Sequence, residues 1–253
     1  GDPAQLDQPQ KGVHPPGAEV SALEHLLGDA LTLADDRGVF LAETRRLHPS
    51  LCDFTSSVFY EGRLKPIAGL EKQRIVGAGR CDGAGLRFVP VPHRGNTNSS
   101  EEEVAAIEAL LHELAASHSK YVDGDGKERA LRIERHGDQP GDVLVVAPYN
   151  AQVAALRHRL PAGVAVGTVD KFQGQQAPIV IYSMTSSSSE DAPRGMEFLY
   201  SLNRLNVATS RAMALVFLVA SPELMRARCK TPRQMRLANA LCAYLEKARV
   251  ESV

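Results

Sequence analysis

Apolar runs of strand length, each followed by a helical pattern, are the feature that most constrains this chain. Asp142-Val143-Leu144-Val145-Val146-Ala147 reads as a buried strand. It passes through Pro148-Tyr149-Asn150 into a helix over about 151–160. Residues 164–167 read as a short strand, and 178–184 and 215–220 as longer buried ones. Residues 39–41 and 86–91 are further strand candidates. Helices are expected over 49–60, 101–118 and 199–212, with a last amphipathic one over about 234–247. Strands that are apolar at every position have no face to give to water. Alternating with helices, they require an α/β fold: a mostly parallel sheet with helices on both faces.

The helix at 101–118 carries its own start signal. Ser99 or Ser100 can cap it, and Glu101, Glu102 and Glu103 place acid in the first turn, where the helix dipole favours it. Two stretches break the alternation. Residues 62–85 are rich in Gly, Lys and Arg, and 121–141 are polar and glycine-bearing. Both read as surface insertions. Residues 186–193 read as a polar loop, and 226–236 carry five basic residues.

Composition narrows the class. Of the 253 residues, 43% are hydrophobic and 23% charged, which excludes a disordered, collagen-like or disulfide-scaffold chain. Lys and Arg total 29 against 30 Asp and Glu, so the net charge is −1. No global basic field exists, and any nucleic-acid site must be local. Cys52, Cys81, Cys229 and Cys242 sit far apart with no Cys-x-x-Cys pair, which argues against a zinc site and a disulfide framework. Reduced, mostly buried thiols in a cytoplasmic protein are expected. The longest apolar runs are far below a membrane span. The chain opens on Gly1-Asp2-Pro3 without a signal-peptide pattern, as a piece of a longer protein would.

Several self-contained chemistries are absent. There is no Gly-x-x-x-x-Gly-Lys-Ser/Thr phosphate loop. Gly77, Gly79, Gly83 and Gly85 crowd together without the spacing such a loop needs. His112-Glu113 lacks the second His of a zinc protease, and no Gly-x-Ser-x-Gly elbow occurs. No metal site is expected in this chain.

Chemistry-bearing residues concentrate elsewhere. Thr168 follows a strand, and Gly174 sits in a turn before a buried one. Small and hydroxyl residues at the carboxyl end of a parallel strand are where open α/β sheets bind ligands. Asn203, Arg204, Asn206 and Arg211 punctuate an otherwise apolar helix. Arg204 and Arg211 are seven positions apart, hence expected on one face. The same residues also fit a solvated helix face with surface salt bridges.

Taken in order, the segments resemble the second RecA-like lobe of superfamily 1 helicases. The likeness is to the 1B branch that includes the nonsense-mediated-decay helicase. Gly1 to Leu6 resembles motif III, and Arg46-Leu47-His48-Pro49 motif IV. Val166-Gly167-Thr168-Val169-Asp170-Lys171-Phe172-Gln173-Gly174-Gln175-Gln176 resembles motif V. Arg204-Leu205-Asn206-Val207-Ala208-Thr209-Ser210-Arg211-Ala212 resembles motif VI, and Val146 to Val153 the segment between motifs IV and V. Arg194-Gly195-Met196-Glu197-Phe198-Leu199 is similar to bacterial helicases fused to a RecB-like nuclease.

The resemblance implies a RecA-like three-layer fold and three parts. Residues 1–38 would end the first lobe and connect it, 39–221 would be the second lobe, and 222–253 a basic segment and helix. It implies an ATP-dependent helicase, with ATP between two lobes and Mg2+ held by the missing first lobe. Arg211 would be the arginine finger, Arg46 the second cation at the γ-phosphate, and Gln5 a γ-phosphate contact. Gln176, where the family has Glu, would meet the ribose, and Arg45, where an aromatic is common, would stack on the base. Gly174 would line the nucleotide, and Arg204 would join it or form a structural ion pair. Thr168, Tyr149 and Asn150 would contact a single strand, DNA in preference to RNA. Tyr149 also fits as a core aromatic at a strand end. Partners implied are the first lobe of the same parent chain and a fused nuclease domain, with no membrane. The chain alone would not turn over ATP. The alternative is a non-catalytic nucleic-acid-binding or interaction module that keeps the fold.

Overall fold

The continuous apolar segments become the middle of one sheet. The computed structural model describes residues 2, 4, 5, 21–28, 30–172 and 174–251. Its strands are β1 (Glu43–Thr44), β2 (Lys65–Pro66), β3 (Arg74–Val76), β4 (Gly85–Pro90), β5 (Lys120–Val122), β6 (Glu128–Ala130), β7 (Val143–Val146), β8 (Ala165–Gly167), β9 (Ala177–Ser183), β10 (Ala212–Ala220) and β11 (Arg249–Val250). Its helices are α1 (Ala22–Leu27), α2 (Pro49–Phe59), α3 (Glu101–Ala116), α4 (Asn150–Arg159), α5 (Gly195–Leu199), α6 (Leu202–Ser210) and α7 (Pro232–Lys247). Six strands run side by side in the order β11-β4-β10-β9-β7-β8, every neighbouring pair parallel.

Both faces of this sheet are covered, as the unbroken apolar strands required. Successive strand residues point to opposite faces. Val216, Leu218, Val180, Tyr182, Leu144 and Val146 join one cluster with residues of α2, α6 and α7. Leu215, Phe217, Ile179, Ile181, Val143 and Val145 join the other, with residues of α3 and α4. Each such large side chain stabilises the fold by about 1.5–3 kcal/mol relative to exposure. Among the described residues no helix is long and apolar enough to cross a membrane.

Four expectations change. Residues 39–41 form no strand, and Val39 and Leu41 are 88% and 81% exposed. The helix read over 199–212 is two helices, broken at Tyr200 and restarted by Ser201, whose hydroxyl accepts from the Arg204 amide. The two insertions are not merely surface loops. They pair as the antiparallel sheet β3-β5-β6, and Ile75, Cys81 and Tyr121 from them enter the core. The thiols are not mostly buried: Cys52 and Cys81 are, Cys229 is half-buried and Cys242 exposed. Burial pushes the Cys52 thiol up to about 11 and that of Cys81 up to about 12.

The segment after 221 is part of the same packed unit. β11 extends the main sheet beside β4. Tyr244 on α7 is buried, its hydroxyl 3.0 Å from the carbonyl oxygens of both Arg87 and Val216. The buried pair Arg87 and Glu251 closes the edge at 3.2 Å. An apolar helix face and a strand edge were both available, so the chain end docks on them instead of standing apart.

Candidate functional site

The predicted residues gather in two clefts rather than one. The first, of about 920 Å³, is lined by Gln5, Thr44, Arg45, Arg46, Tyr60 and Gln176 among others. Arg46 leaves the short β1 edge, where the Thr44 hydroxyl accepts from its amide at 3.2 Å. Its guanidinium donates from Nε to Gln176 Oε1 at 2.7 Å and from Nη1 to the Ser210 carbonyl at 2.8 Å. Its own carbonyl accepts from Gln73 Nε2 at 2.8 Å, and Gln73 in turn accepts from the Tyr121 hydroxyl at 2.5 Å. Gln73 and Tyr121 are buried and come from the supposed surface insertions. They are the positioning residues that the sequence reading missed. Their only signal was an isolated Tyr and Gln inside polar stretches.

Arg211 caps the C-terminal end of α6 and is 4% exposed. Its Nη2 donates to Gln5 Oε1 at 2.8 Å, while its buried Nε has no partner among the described residues. Gln5 is held by Asp2, whose Oδ2 accepts from Gln5 Nε2 and from the Tyr60 hydroxyl, each at 2.6 Å. Asn206 on α6 donates to the Ala4 carbonyl at 2.7 Å and to the Tyr60 hydroxyl at 2.9 Å. Polar residues of motif VI thus bind the segment that precedes the lobe. The rest of the motif III likeness, Gly1, Pro3 and Leu6, lies outside the described residues, as does Gln173.

The electrostatics of this cleft are unusual. Among the described residues neither Arg46 nor Arg211 has a carboxylate within 4.0 Å; their partners are neutral amide and carbonyl oxygens. Burial pulls both guanidiniums below their ordinary range, and the Arg211 charge adds to the effect on Arg46. Both stay protonated at neutral pH. Arg46 lines the first cleft and buried Arg211 reaches its lining residue Gln5, while Asp2, which also lines the cleft, opposes the effect of burial on Arg211. Exposed Arg45 lines the same cleft. Gly174 lies in the turn nearby with φ of 82°, a backbone region that favours glycine, but outside the lining of either cleft.

The second cleft, of about 470 Å³, lies at the carboxyl ends of β7 and β8. Tyr149, Asn150, Thr168 and Arg204 line it, together with Asn98 and Phe198. Tyr149 is buried, so the core-aromatic and cleft readings hold together. Arg204 lines this cleft and not the first, and its contact with Asp170 matches the structural ion pair that was the alternative for it. Two helical turns rise about 10 Å, so residues seven apart sit at opposite ends of a helix this short. Arg211 is buried and donates to Gln5, which lines the first cleft, and Arg204 packs on the Phe198 ring at 4.1 Å, with Asp170 4.0 Å away.

One wall of this cleft is held by a buried polar network. Glu103 is turned inward from the start of α3 and fully buried. It accepts from Ser183 Oγ at 2.5 Å and the Thr185 amide at 2.9 Å, and lies 3.0 Å from His93 Nε2. His93 Nδ1 meets Ser187 Oγ at 2.7 Å, and Ser187 holds the Asn96 amide at 2.9 Å. Asn98 follows directly. The sequence reading placed Glu103 in the first turn for the helix dipole; it also ties two loops together.

A parallel sheet of this kind, flanked by helices on both faces, is a RecA-like α/β lobe. The profile of the family described as "AAA domain" matches residues 18–223, so the chain belongs to that family. It is the C-terminal lobe of the superfamily 1 type. It is 27% identical to the regulator of nonsense transcripts 1 homolog of Drosophila melanogaster, over 81% of this chain and 17% of that protein. It is also 27% identical to the DNA polymerase alpha-associated DNA helicase A of Schizosaccharomyces pombe, over 68% of this chain and 26% of that protein. The chain thus spans about a sixth to a quarter of the length of these relatives. The solved C-terminal domain of a possible DNA helicase from Lactobacillus plantarum overlays with a TM-score of 0.40 at 17% identity, covering 73% of this chain and 94% of that one.

Proposed function

We propose that this chain works as the second motor lobe of an ATP-driven helicase that moves on a single strand of nucleic acid. The observation that supports this best is the pair Arg46 and Arg211. Two guanidiniums with only neutral partners suit a polyphosphate, which would supply the missing negative charge. The chain holds no phosphate loop, and among its described residues no group of His, Cys, Asp or Glu could hold a metal. Following the resemblance to superfamily 1 helicases, we assign binding of the triphosphate and its Mg2+ to a first lobe of the parent protein.

In this reading Arg211 is the arginine finger. Negative charge spreads over the γ-oxygens during phosphoryl transfer, and a fixed guanidinium stabilises it. Gln5 aims Arg211, and Gln176 with the Ser210 carbonyl aims Arg46. Gln176 keeps an amide for the ribose, and Arg45 offers a planar cation to the base. Thr168, Asn150 and Tyr149 contact the strand. We take DNA as the strand type, on the printed name of the fission-yeast relative, and competition between matched DNA and RNA oligomers tests it.

The test of the motor reading uses the helicase that carries this lobe. Arg211→Ala lowers strand-stimulated ATP hydrolysis by about 10³ and changes ATP binding far less. Arg211→Lys recovers little, because a point charge lacks the planar fork. Normal turnover in Arg211→Ala removes the residue from the reaction. The isolated chain hydrolyses no ATP; steady turnover by the purified chain overturns the division of labour between lobes.

A further inference from the structure

Arg194 has no role in the reading above, yet it lines the strand-side cleft and is exposed. Its guanidinium carbon lies 3.8 Å from the centre of the Phe198 ring, on which Arg204 also packs at 4.1 Å. The Tyr149 ring stands 5.5 Å from the same ring, tilted by 32°. Two like charges gather on one ring because its π-face offsets part of their repulsion. Asp170 offsets more, but only toward Arg204. Among the described residues Arg194 has no hydrogen-bond or ion-pair partner, and ring contact alone holds it. Its donors and its outer plane are unspent. The same holds around it: the side chains of Asn98, Asn150 and Thr168 line the cleft and make no hydrogen bond with described residues.

Resting on the strand-binding reading, we propose that Arg194, Phe198 and Arg204 form a stacking platform that takes one unpaired nucleobase of the strand. The base lies on the Arg194 guanidinium, and Asn98, Asn150 and Thr168 reach the adjoining sugar and phosphates. A planar cation is a base-sized surface, and every base has a π-face, so the platform is tolerant of sequence. It selects against duplex, because a paired base has its faces covered by its neighbours. A phosphate-only site needs no aromatic under its cation; here one ring holds two cations, at 3.8 and 4.1 Å from its centre.

Two fluorescent oligomers of equal length test this on the chain itself: an oligothymidylate and its abasic counterpart, which keeps the phosphates and removes the bases. The wild-type chain binds the base-bearing strand about tenfold more tightly. Arg194→Lys keeps the charge and loses the plane. It binds the abasic strand as the wild type does and the base-bearing strand no better than the abasic one. Arg194→Ala weakens both and also levels them. A thermal melt of each variant establishes that the fold is intact, as expected for an exposed position. If Arg194→Lys preserves the wild-type ratio between the strands, the stacking proposal fails and strand binding at the cleft survives. If the folded wild-type chain binds neither strand at low salt, the strand-binding reading itself fails.

Discussion

Each of the two clefts is built around a pair of arginines, and they hold them in opposite ways. At the first cleft, Arg46 and Arg211 are gripped by glutamine side chains and a backbone carbonyl, and the carboxylate of Asp2 reaches Arg211 only through Gln5. On the strand side, Arg194 and Arg204 rest on a phenyl ring, and Arg204 faces Asp170. Directional hydrogen bonds to neutral acceptors fix where a cation points without cancelling its charge. Such an arrangement suits stabilising charge that develops in one place. A ring fixes the plane but leaves the cation free to slide, and a carboxylate moderates its pull. That arrangement suits a polymer that must be held and released repeatedly.

The largest expected effect separates the two pairs directly. In the helicase carrying this lobe, Arg211→Ala costs about 10³ in strand-saturated ATP turnover, whereas Arg204→Ala keeps that rate within about twofold and raises the strand concentration needed for half-maximal stimulation. Losses of equal size in the two variants would erase the distinction between the clefts. Next in size is Phe198→Ala. Removing the shared ring weakens single-strand binding by this chain about tenfold, read by fluorescence anisotropy, because both cations lose their support. An unchanged affinity would show that the strand does not need the ring.

Asp170→Asn works in the opposite direction. Removing the carboxylate beside Arg204 tightens single-strand binding about two- to threefold at low salt. The gain disappears as salt is raised, since the interaction is between solvent-accessible charges. Weaker binding in this variant would mean that Asp170 itself contacts the strand.

The smallest effect concerns the start of α2. His48 caps α2, its Nδ1 accepting from the Ser50 amide at 3.2 Å. Burial holds its pKa below the ordinary histidine range, ahead of opposing contributions from Glu71. A lowered folded pKa means that the unfolded chain binds protons first, so this stability is whole above about pH 6.5 and is lost as pH falls. His48→Asn caps without titrating there. Between pH 7.5 and 5.5 its melting temperature falls less than that of the wild type, by about 1–2 °C. Parallel declines in the two proteins would exclude His48 as a source of acid sensitivity.

Most elements of the main sheet were legible because their signals are local. Residues 143–146 and 177–183 are apolar at nearly every position, and only a doubly covered parallel strand tolerates that. Ser100 stands just before its helix, with a hydroxyl free to cap it. Motif order carried the candidate residues in the same way, since it is a property of the chain as a string. The small sheet β3-β5-β6 was not legible: its strands are three residues each, too short for a period to show.

What the sequence by itself determined is therefore the layered α/β architecture, the helix starts and the identity of the polar residues available for chemistry. The tertiary structure alone decided which of them meet. Arg46 reaches Gln176 across 130 positions and Arg211 reaches Gln5 across 206. Arg204 and Arg211, seven apart on paper, serve different clefts. Glu103, an acid at a helix start in the sequence, ties together loops more than 80 positions apart. Periodicity and caps are set by neighbours along the chain, so the sequence displays them. Contacts like these depend on strand order and on which end of a helix a side chain leaves, and both are fixed only when the sheet closes around its core.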